Sequence, residues 1–287
     1  MKKIIILLII LLNLSSCTKN TIPQEIPRSD SYKYVISNIN DDQSRADIKD
    51  IMVKSGLSNE NISRFFDQVE FFNQNIDENL LINESYLKDN KIPDYDVYAM
   101  QDQMFEKFPE FPGINCRITT FGLISNLVNI DETTDENEIT TIDNASFTNP
   151  PVETLEAGEI GKFNSFYRPF KINNPGDLTK NKFEISEFLK YSLGDLASKN
   201  FSLISVFVPT NAGPDSNELF VGHTGLLFNL PDGRLMLVEK LAFTAPYQAI
   251  SFKTRDDLRD YLMELYDSST SDYPIKPIIF ENGKELK

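Results

Sequence analysis

Few residues in this chain could act as nucleophile or base, because its 287 residues include a single histidine and two cysteines. The histidine is His223, and the cysteines are Cys17 and Cys116. A thiol beside an imidazole is a recurrent nucleophile, since the imidazole can take the thiol proton near neutral pH. These counts exclude a histidine-rich metal cage, a cysteine zinc site and a disulfide framework. We therefore predict no metal and no cofactor, and the candidate chemistry is that of a thiol.

Cys17 belongs to an export signal. Two lysines precede a run of isoleucine and leucine over residues 4–12, which is too short to span a bilayer, where about 20 apolar residues are needed. The stretch Leu14-Ser15-Ser16-Cys17 then resembles the bacterial lipobox, whose cysteine carries lipid such as palmitate and becomes the mature N-terminus. We predict a lipoprotein signal peptide over residues 1–16 and a lipid anchor on Cys17, on the extracytoplasmic face of the cell membrane. The alternative is a soluble secreted protein with a chance cysteine near its cleavage site.

The charge of the chain restricts its partners. Lysine and arginine total 28 against 43 aspartates and glutamates, which gives a net charge of −15 and a pI near 4.6. Affinity for nucleic acid comes mainly from clustered positive charge, so we predict no nucleic-acid partner. The predicted partners are the cell membrane, through the lipid, and a peptide-like substrate or a protein. Hydrophobic residues make up 40% of the chain, as in globular proteins.

If Cys17 carries lipid, Cys116 is the only free thiol, and its surroundings favour reactivity. It lies in Gly113-Ile114-Asn115-Cys116-Arg117, where the pattern predicts the start of a helix over residues 115–129. The positive end of a helix dipole lowers the pKa of a thiol, and Arg117 adds a positive charge nearby. We therefore predict that Cys116 is a nucleophile. The alternative is a small buried hydrophobic residue, as most lone cysteines are.

A predicted hairpin brings an acidic residue to His223. The turn Pro231-Asp232-Gly233 separates two apolar runs, and Asp-Gly is a strong hairpin signal. Counting outward from the turn places Glu239 opposite Thr224 or Gly225, one residue or so from His223. We predict that Glu239 orients the imidazole and that His223 is the general base and acid. The alternatives are a structural histidine and an exposed glutamate on a surface strand.

The surrounding pattern predicts the elements that position these residues. Residues 17–42 are polar and predict a flexible tether, followed by one domain over 43–287 with the candidate site in 113–266. Helical periodicity dominates the first part of the domain, and strands dominate the last third, which predicts an α+β fold with a mostly antiparallel sheet. The predicted helices cover residues 44–56, 61–75, 98–108, 115–129, 182–199 and a segment capped by Thr254, and the predicted strands cover 201–208, 219–228, 234–241, 249–252 and 275–280.

The order of cysteine at a helix start, histidine on a strand and a polar acceptor on the next strand resembles the papain-like superfamily, including NlpC-type peptidases and amidases. The resemblance covers residues 113–266 and implies a helix that carries the cysteine and packs on an antiparallel sheet. It also implies that the cysteine attacks a carbonyl while the histidine moves the proton.

Three stretches are similar to a bacterial lipoprotein family known as domain of unknown function 4300. They are Asn115-Cys116-Arg117, Gly222-His223-Thr224-Gly225, and Glu239 to Phe243 continuing through Pro246-Tyr247-Gln248. The family description implies no activity, so this resemblance supports the site without indicating a substrate.

The chain departs from the papain pattern at the expected oxyanion donor. Papain-like enzymes often have glutamine about six residues before the cysteine, but that position is Glu110, which cannot donate as a carboxylate. Asn115 or the backbone N–H of Cys116 could take its place. Arg117 and Arg168 are candidate substrate-binding residues, since a guanidinium can clamp a carboxylate. For Arg168 the favoured alternative is a side chain packed over neighbouring aromatic rings.

Two main functions follow from these residues. The first is an exported, lipid-anchored cysteine hydrolase or acyltransferase that acts on an amide bond in a wall peptide or another extracellular peptide. The second is a non-catalytic surface lipoprotein that binds a peptide, a solute or a partner protein on the same scaffold. A degenerate enzyme that now serves binding is a third. An acidic loop over residues 131–138 lacks the spacing of a calcium loop, so we interpret it as a solvated loop.

Overall fold

The computed structural model describes residues 21–210 and 217–287, and the predicted signal peptide and Cys17 lie outside this range. The helices are α1 (Asp42–Ser55), α2 (Asn59–Asn75), α3 (Val97–Lys107), α4 (Cys116–Ile124), α5 (Thr141–Ala145), α6 (Ala157–Phe166), α7 (Thr179–Ser192) and α8 (Arg255–Tyr266). The strands are β1 (Tyr34–Ser37), β2 (Leu87–Asp89), β3 (Phe170–Lys171), β4 (Phe201–Pro209), β5 (Glu218–Asn229), β6 (Leu235–Lys240), β7 (Tyr247–Phe252), β8 (Ile278–Glu281) and β9 (Lys284–Glu285).

The described strands form one antiparallel sheet in the order β2-β1-β7-β6-β5-β4-β8-β9, and β3 pairs with the start of β5. Helices precede most of the sheet along the chain, so the prediction of an α+β fold with a mostly antiparallel sheet is confirmed. The helix that begins at Cys116 packs on this sheet, also as predicted.

The sheet separates two hydrophobic layers because successive strand residues face opposite sides. On β6, Val238 belongs to the larger core, which it shares with residues of α2 and α4. Its neighbour Leu237 belongs to the smaller core, which α8 covers with Leu258 and Leu262. His223 on β5 and Glu239 on β6 therefore lie on a sheet that is covered on both faces.

The hairpin of β5 and β6 matches its prediction closely. Gly233 has a φ of +86°, the left-handed conformation that a tight turn uses and glycine adopts without a Cβ penalty. The register pairs Gly225 with Glu239, as counting outward from the turn predicts. At the following helix, Thr254 and Asp257 form a reciprocal capping box that fixes the start of α8.

Helix α4 is short and wholly buried. The Asn115 side chain accepts a hydrogen bond from Ile118 N and caps its first turn. All nine of its residues are buried against the sheet and α2. The α-helical part ends at Ile124 and continues as a 3-10 turn to Leu127, so the predicted helix over 115–129 is about one turn too long.

The predicted tether over residues 17–42 requires a correction in its described part. Strand β1 lies within it and pairs with β2 and β7. Upstream of β1, Arg234 donates hydrogen bonds to the carbonyls of Ile26 and Pro27. The segment is polar, but its short apolar stretch gains stability only by completing a sheet whose other strands lie far along the chain, which local periodicity cannot reveal. The folded domain therefore begins before residue 43.

The remaining helices differ from the prediction in detail. The helix predicted over 182–199 is α7 followed by a 3-10 helix at Gly194–Ser198, and α5 and α6 were not predicted.

Across residues 21–210 and 217–287, every helix is too short or too polar to cross a bilayer.

Candidate active site

Cys116 is the first residue of α4, at the end of the helix where the backbone N–H groups lack intrahelical acceptors. Its Sγ lies 4.0 Å from the carbonyl oxygen of Gly222, which immediately precedes His223 on β5. Cys116 is almost fully buried, with 5% of its surface exposed. The helix start and the β5 strand therefore meet at the thiol.

His223 and Glu239 form a buried pair across the hairpin. Nε2 of His223 lies 2.6 Å from Oε2 of Glu239, and the two residues are 1% and 0% exposed. Gly225 allows this approach, because a Cβ at this position would lie 2.9 Å from Val238 O and 3.2 Å from Glu239 Cβ. The structure thus brings together His223 and Glu239, two of the residues predicted for the site.

The second ring nitrogen of His223 is left for the thiol. The pKa of each of Cys116 and His223 is shifted by the other, so the two groups interact electrostatically. Nε2 contacts Glu239, while Nδ1 is buried and has no partner of standard hydrogen-bond geometry among the described residues. Nδ1 is therefore the nitrogen that can exchange a proton with Cys116. A cysteine, a histidine and a carboxylate in series are the arrangement that activates a thiol nucleophile.

Charge in the site favours a thiolate beside an imidazolium. Burial alone raises the pKa of Cys116, but His223 and the positive charge of Arg117 outweigh it, and the pKa of the thiol is lowered from its ordinary value. Burial alone lowers the pKa of His223, but its interactions with Cys116 and Glu239 raise this pKa to about 10. The proton of the pair is thus held preferentially by the imidazole.

The other carboxylate oxygen of Glu239 is also held. Tyr261 on α8 donates from its hydroxyl at 2.6 Å, and Gln248 on β7 donates from its side-chain amide at 3.0 Å. Tyr95 in turn donates to the Gln248 carbonyl oxygen at 3.1 Å. A carboxylate with all these donors stays oriented toward His223, because a buried charge needs hydrogen bonds to offset its desolvation.

An aromatic ring covers the imidazole. Tyr266, the last residue of α8, stacks on His223 with ring centroids 4.6 Å apart and an angle of 16° between the planes. This stacking leaves the ring free to use its nitrogens in the imidazole plane, toward Glu239 and the thiol. Tyr266 therefore restrains ring rotation without competing for a nitrogen.

The predicted roles of Asn115 and Arg117 are corrected by their contacts. Asn115 caps α4 through its Oδ1 and donates from Nδ2 to Asp143 Oδ1. Arg117 forms a buried ion pair with Asp143, 2.7 Å from Nη2 to Oδ2, and donates from Nη1 to the Val221 carbonyl at 3.0 Å. Both side chains are committed to holding the start of α4 against β5. The two candidate oxyanion donors were the Asn115 side chain and the Cys116 backbone N–H. Since the Asn115 side chain bonds Ile118 and Asp143, the Cys116 N–H is the better candidate.

Arg168 is not part of this cluster. Its guanidinium lies over the rings of Phe170 and Phe188, at 4.6 and 4.5 Å from their centroids. It lines a surface pocket with Asp131 and Tyr191, and this pocket shares no residue with the cluster of Cys116 and His223. The side chain therefore packs over aromatic rings, which is the alternative that the sequence favoured over substrate binding at the thiol.

Several residues of the site were not predicted as such. Asp143 gave no local signal, since its helix α5 has five residues and begins after an acidic loop. Tyr261 lies in the helix predicted after Thr254, but nothing in the sequence pattern singles it out as a site residue. Gln248 could have been found from the strand register, because it pairs directly with Glu239. Within the described ranges, no group of histidine, cysteine and carboxylate side chains could hold a metal ion.

The comparisons with known proteins give one match. The family model described as Domain of unknown function (DUF4300) matches residues 35–286. This range includes all the described site residues and nearly all of the sheet. No curated protein and no solved structure matches the chain.

Proposed function

The chain belongs to the DUF4300 family, whose description specifies no activity, so we propose a function from the site itself. We propose that the protein is an exported, lipid-anchored cysteine hydrolase or acyltransferase of papain-like type that acts on an amide bond. The observation that carries the proposal is the series of Cys116 at a helix start, His223, and Glu239 on the far ring nitrogen. A buried imidazole oriented by a carboxylate has a specific use beside a thiol, since it can hold the thiol proton and return it.

The reaction follows from the protonation state that the site favours. The Cys116 thiolate adds to the carbonyl carbon of the amide, and a C–S bond forms while the carbonyl electrons move to oxygen. The Cys116 backbone N–H lies at the helix N-terminus and is the donor for that oxyanion. As the oxyanion collapses, the C–N bond breaks and the amine leaves with the proton from His223 Nδ1. A thioester remains on Cys116.

The second half of the reaction decides between hydrolysis and transfer. His223, now neutral, takes a proton from water or from an amine as that nucleophile adds to the thioester. The C–S bond then breaks and the thiolate is regenerated, with the proton on the imidazole. Glu239 stays ionised throughout and stabilises the imidazolium.

The class of substrate is inferred from location and charge. The export signal and Cys17 support an anchored protein outside the cytoplasmic membrane, where wall peptides and other extracellular peptides carry amide bonds. The acidic composition disfavours tight adhesion to anionic wall polymers, so recognition of a peptide is the better fit. Labelling with a palmitate analogue in cells, with Cys17→Ala as the control, tests the anchor. Equal labelling of both chains would overturn it.

The experiment for the activity uses the mature chain and a library of extracellular and wall-derived peptides. Wild type should cleave or transfer at an amide bond, and Cys116→Ala and His223→Ala should abolish turnover while remaining folded by circular dichroism. Turnover should also fall as the pH rises through about 10, where His223 loses the proton that the leaving amine needs. Unchanged turnover in Cys116→Ala would overturn the proposal.

A simpler measurement tests the thiol itself. Iodoacetamide alkylation of Cys116, followed on its own peptide by mass spectrometry, should proceed well below the pKa of about 8.5 of an ordinary thiol. Alkylation that begins only above about pH 8, or not at all, would remove the basis for catalysis.

The burial of the site favours a second candidate, a non-catalytic lipoprotein that binds a peptide, a solute or a protein partner. Cys116 and His223 expose little surface, so a substrate carbonyl reaches the thiol only if neighbouring groups move. This candidate predicts that Cys116→Ala leaves binding and cellular function intact. A lowered thiol pKa without turnover on any peptide would favour the degenerate enzyme.

A further inference from the structure

Lys240 is a buried charged residue that the proposed reaction does not use. It follows Glu239 on β6, but strand alternation directs the two side chains to opposite faces of the sheet. Glu239 contacts His223 and α8, whereas the Lys240 ammonium lies over the rings of Phe72 and Tyr247, at 3.9 and 4.9 Å from their centroids. The residue is 1% exposed.

The ammonium group of Lys240 is fully hydrogen-bonded. It donates to the backbone carbonyls of Ala242 at 3.0 Å, Phe243 at 3.4 Å and Ala245. Three hydrogens thus meet three acceptors in the loop that joins β6 to β7. Among the described residues, however, no carboxylate lies within ion-pair distance of Lys240. A buried charge without an opposite charge is costly, so a missing partner needs to be identified.

The same loop touches the chain just before Cys116. Gly113 has a φ of +105°, and a Cβ at this position would overlap with the Phe243 carbonyl oxygen. That oxygen is also one of the acceptors of Lys240. The ammonium group therefore fixes the carbonyl against which the approach to the helix start is packed.

Charge balance identifies the missing partner. Arg117 and Asp143 neutralise each other, while a Cys116 thiolate, a His223 imidazolium and a Glu239 carboxylate together carry one negative charge. A protonated Lys240, whose three N–H groups each have a carbonyl acceptor, would supply the matching positive charge from the opposite face of the sheet from Glu239. Burial lowers the pKa of Lys240 well below its ordinary value, and the charge of Cys116 acts in the opposite direction. The Phe243 carbonyl connects the two groups in space, because it accepts a hydrogen bond from the Lys240 ammonium and packs against Gly113, three residues before Cys116.

We propose that Lys240 is a positioning residue of the site: its buried ammonium group holds the loop over residues 241–246 against Gly113 and supplies the positive charge that stabilises the Cys116 thiolate. This inference rests on the proposed role of Cys116 as a thiolate, and it extends that role to a residue on the opposite face of the sheet from Glu239.

The test compares thiol titration in Lys240→Met, which removes the charge and keeps the length, with that in Lys182→Met. Lys182 is a half-exposed surface lysine paired with Glu285 and serves as the control. The Cys116 thiolate is followed by its ultraviolet absorbance, after subtraction of Cys116→Ser. Lys240→Met should move the thiol titration upward by about one pH unit, a tenfold lower thiolate fraction below the pKa. Lys182→Met should leave it unchanged.

A loss of packing alone would destabilise Lys240→Met without moving the titration, and that result in a folded variant overturns the proposal. Lys240→Arg, which keeps the charge, should move the titration less than Lys240→Met does. An equal or larger shift in Lys240→Arg would also overturn it.

A reciprocal measurement covers the case in which Lys240→Met does not fold. If Lys240 stabilises the thiolate, the thiolate must raise the pKa of Lys240 by the same amount, because the coupling between two sites is symmetric. The side-chain ammonium signal of Lys240, titrated by NMR, should therefore show a pKa about one unit lower in Cys116→Ser than in wild type. Equal values in the two proteins overturn the proposal.

These measurements need no substrate, so their outcome is separate from that of the proposed function. A coupled Lys240 and thiol in a protein without turnover on peptides would support the positioning role and contradict the hydrolase. Turnover on peptides without coupling between Lys240 and the thiol would support the hydrolase and contradict the positioning role.

Discussion

Glu239 and His223 lie on neighbouring antiparallel strands two positions out of register, and Oε2 of Glu239 is 2.6 Å from Nε2 of His223. The directly opposite residue is Gly225, whose missing side chain leaves room for the Glu239 carboxylate to lean toward the imidazole. The Glu239 carboxylate therefore determines which ring nitrogen of His223 is left for Cys116.

Glu239→Gln should weaken the activation of the thiol. The substitution keeps the size of the side chain but removes the negative charge that helps to raise the pKa of His223. With a less stable imidazolium, the thiol titration of Cys116 should move upward by about one unit or more, measured by alkylation against pH. Glu187→Gln, in an exposed pair with Lys190, is the matched control and should show the wild-type titration. Identical titrations in Glu239→Gln and wild type would contradict the assigned role.

The stability of the fold should depend on pH in a way that reflects the coupled pair. The pKa of His223 is raised, so its contribution is complete below about pH 6.5 and is lost as the pH rises through about 10. The pKa of Cys116 is lowered, so its contribution is complete above about pH 8.5 and is lost as the pH falls through the folded value. The two slopes oppose each other between about pH 6.5 and 8.5.

Of the Cys116 and His223 pair, only the slope of His223 remains above about pH 8.5, and its contribution to the free energy of unfolding should fall by up to about 1.4 kcal/mol per pH unit until His223 titrates. Urea unfolding at closely spaced pH values measures this slope. In His223→Gln this part of the decline should disappear. A decline of equal steepness in both proteins would assign it to other groups.

Tyr261→Phe should destabilise the protein by about 1.5–3 kcal/mol, because it removes a buried hydrogen bond to a charged carboxylate. Gln248 remains as a donor to the same oxygen, so the variant should still fold. Tyr191→Phe is the control, since its hydroxyl bonds Asp131 at 2.5 Å on the surface, where water can replace it. Urea unfolding should show little change in the control, and equal losses in the two variants would contradict the importance of burial.

Apart from substitutions of Cys116, His223 and Glu239, Asp143→Ala should be among the most damaging. It leaves the buried Arg117 guanidinium without its counter-charge, which costs about 3–5 kcal/mol for a buried pair. Glu285→Ala breaks the more exposed pair with Lys182 and should cost little. Thermal or urea unfolding distinguishes the two. A small effect of Asp143→Ala would mean that water reaches Arg117.

Gly113→Ala and Gly233→Ala separate backbone strain from steric overlap. Both glycines have a positive φ, but a Cβ at Gly233 meets no atom within 4 Å, whereas at Gly113 it would overlap with Phe243 O. Gly233→Ala should cost about 1–2 kcal/mol from conformation alone. Gly113→Ala should cost more and should also slow alkylation of Cys116, three residues away. Equal costs and unchanged alkylation would show that the loop yields without disturbing the helix start.

The local features of the C-terminal part could be predicted because neighbouring residues determine them. An Asp-Gly turn between apolar runs sets the register of β5 and β6, so the approach of Glu239 to His223 follows from counting. The capping box at Thr254 fixes α8 in the same way. Cys116 at a helix start was predictable from Asn115, whose side chain suits an N-cap.

The hydrogen bonds and ion pairs of Asn115, Arg117 and Lys240 could not be predicted in this way. Asp143 reaches Arg117 from a short helix beyond an acidic loop, and the three carbonyls around Lys240 come from a loop without regular structure. Strand β1 joins the sheet through pairing with β7, more than 200 residues away, which the tether prediction missed.

The sequence by itself therefore determined three things. They are the only histidine and the only cysteine outside the predicted export signal, the helix start that carries the thiol, and the hairpin that brings Glu239 to His223. Only the tertiary structure decided that the Cys116 thiol lies against β5 beside His223, that Asn115 and Arg117 contact Asp143 at the helix start, and that Lys240 is buried on the opposite face from Glu239. The reason is physical: turns, caps and strand register depend on residues close along the chain, whereas ion pairs and buried hydrogen bonds depend on which distant segments pack together.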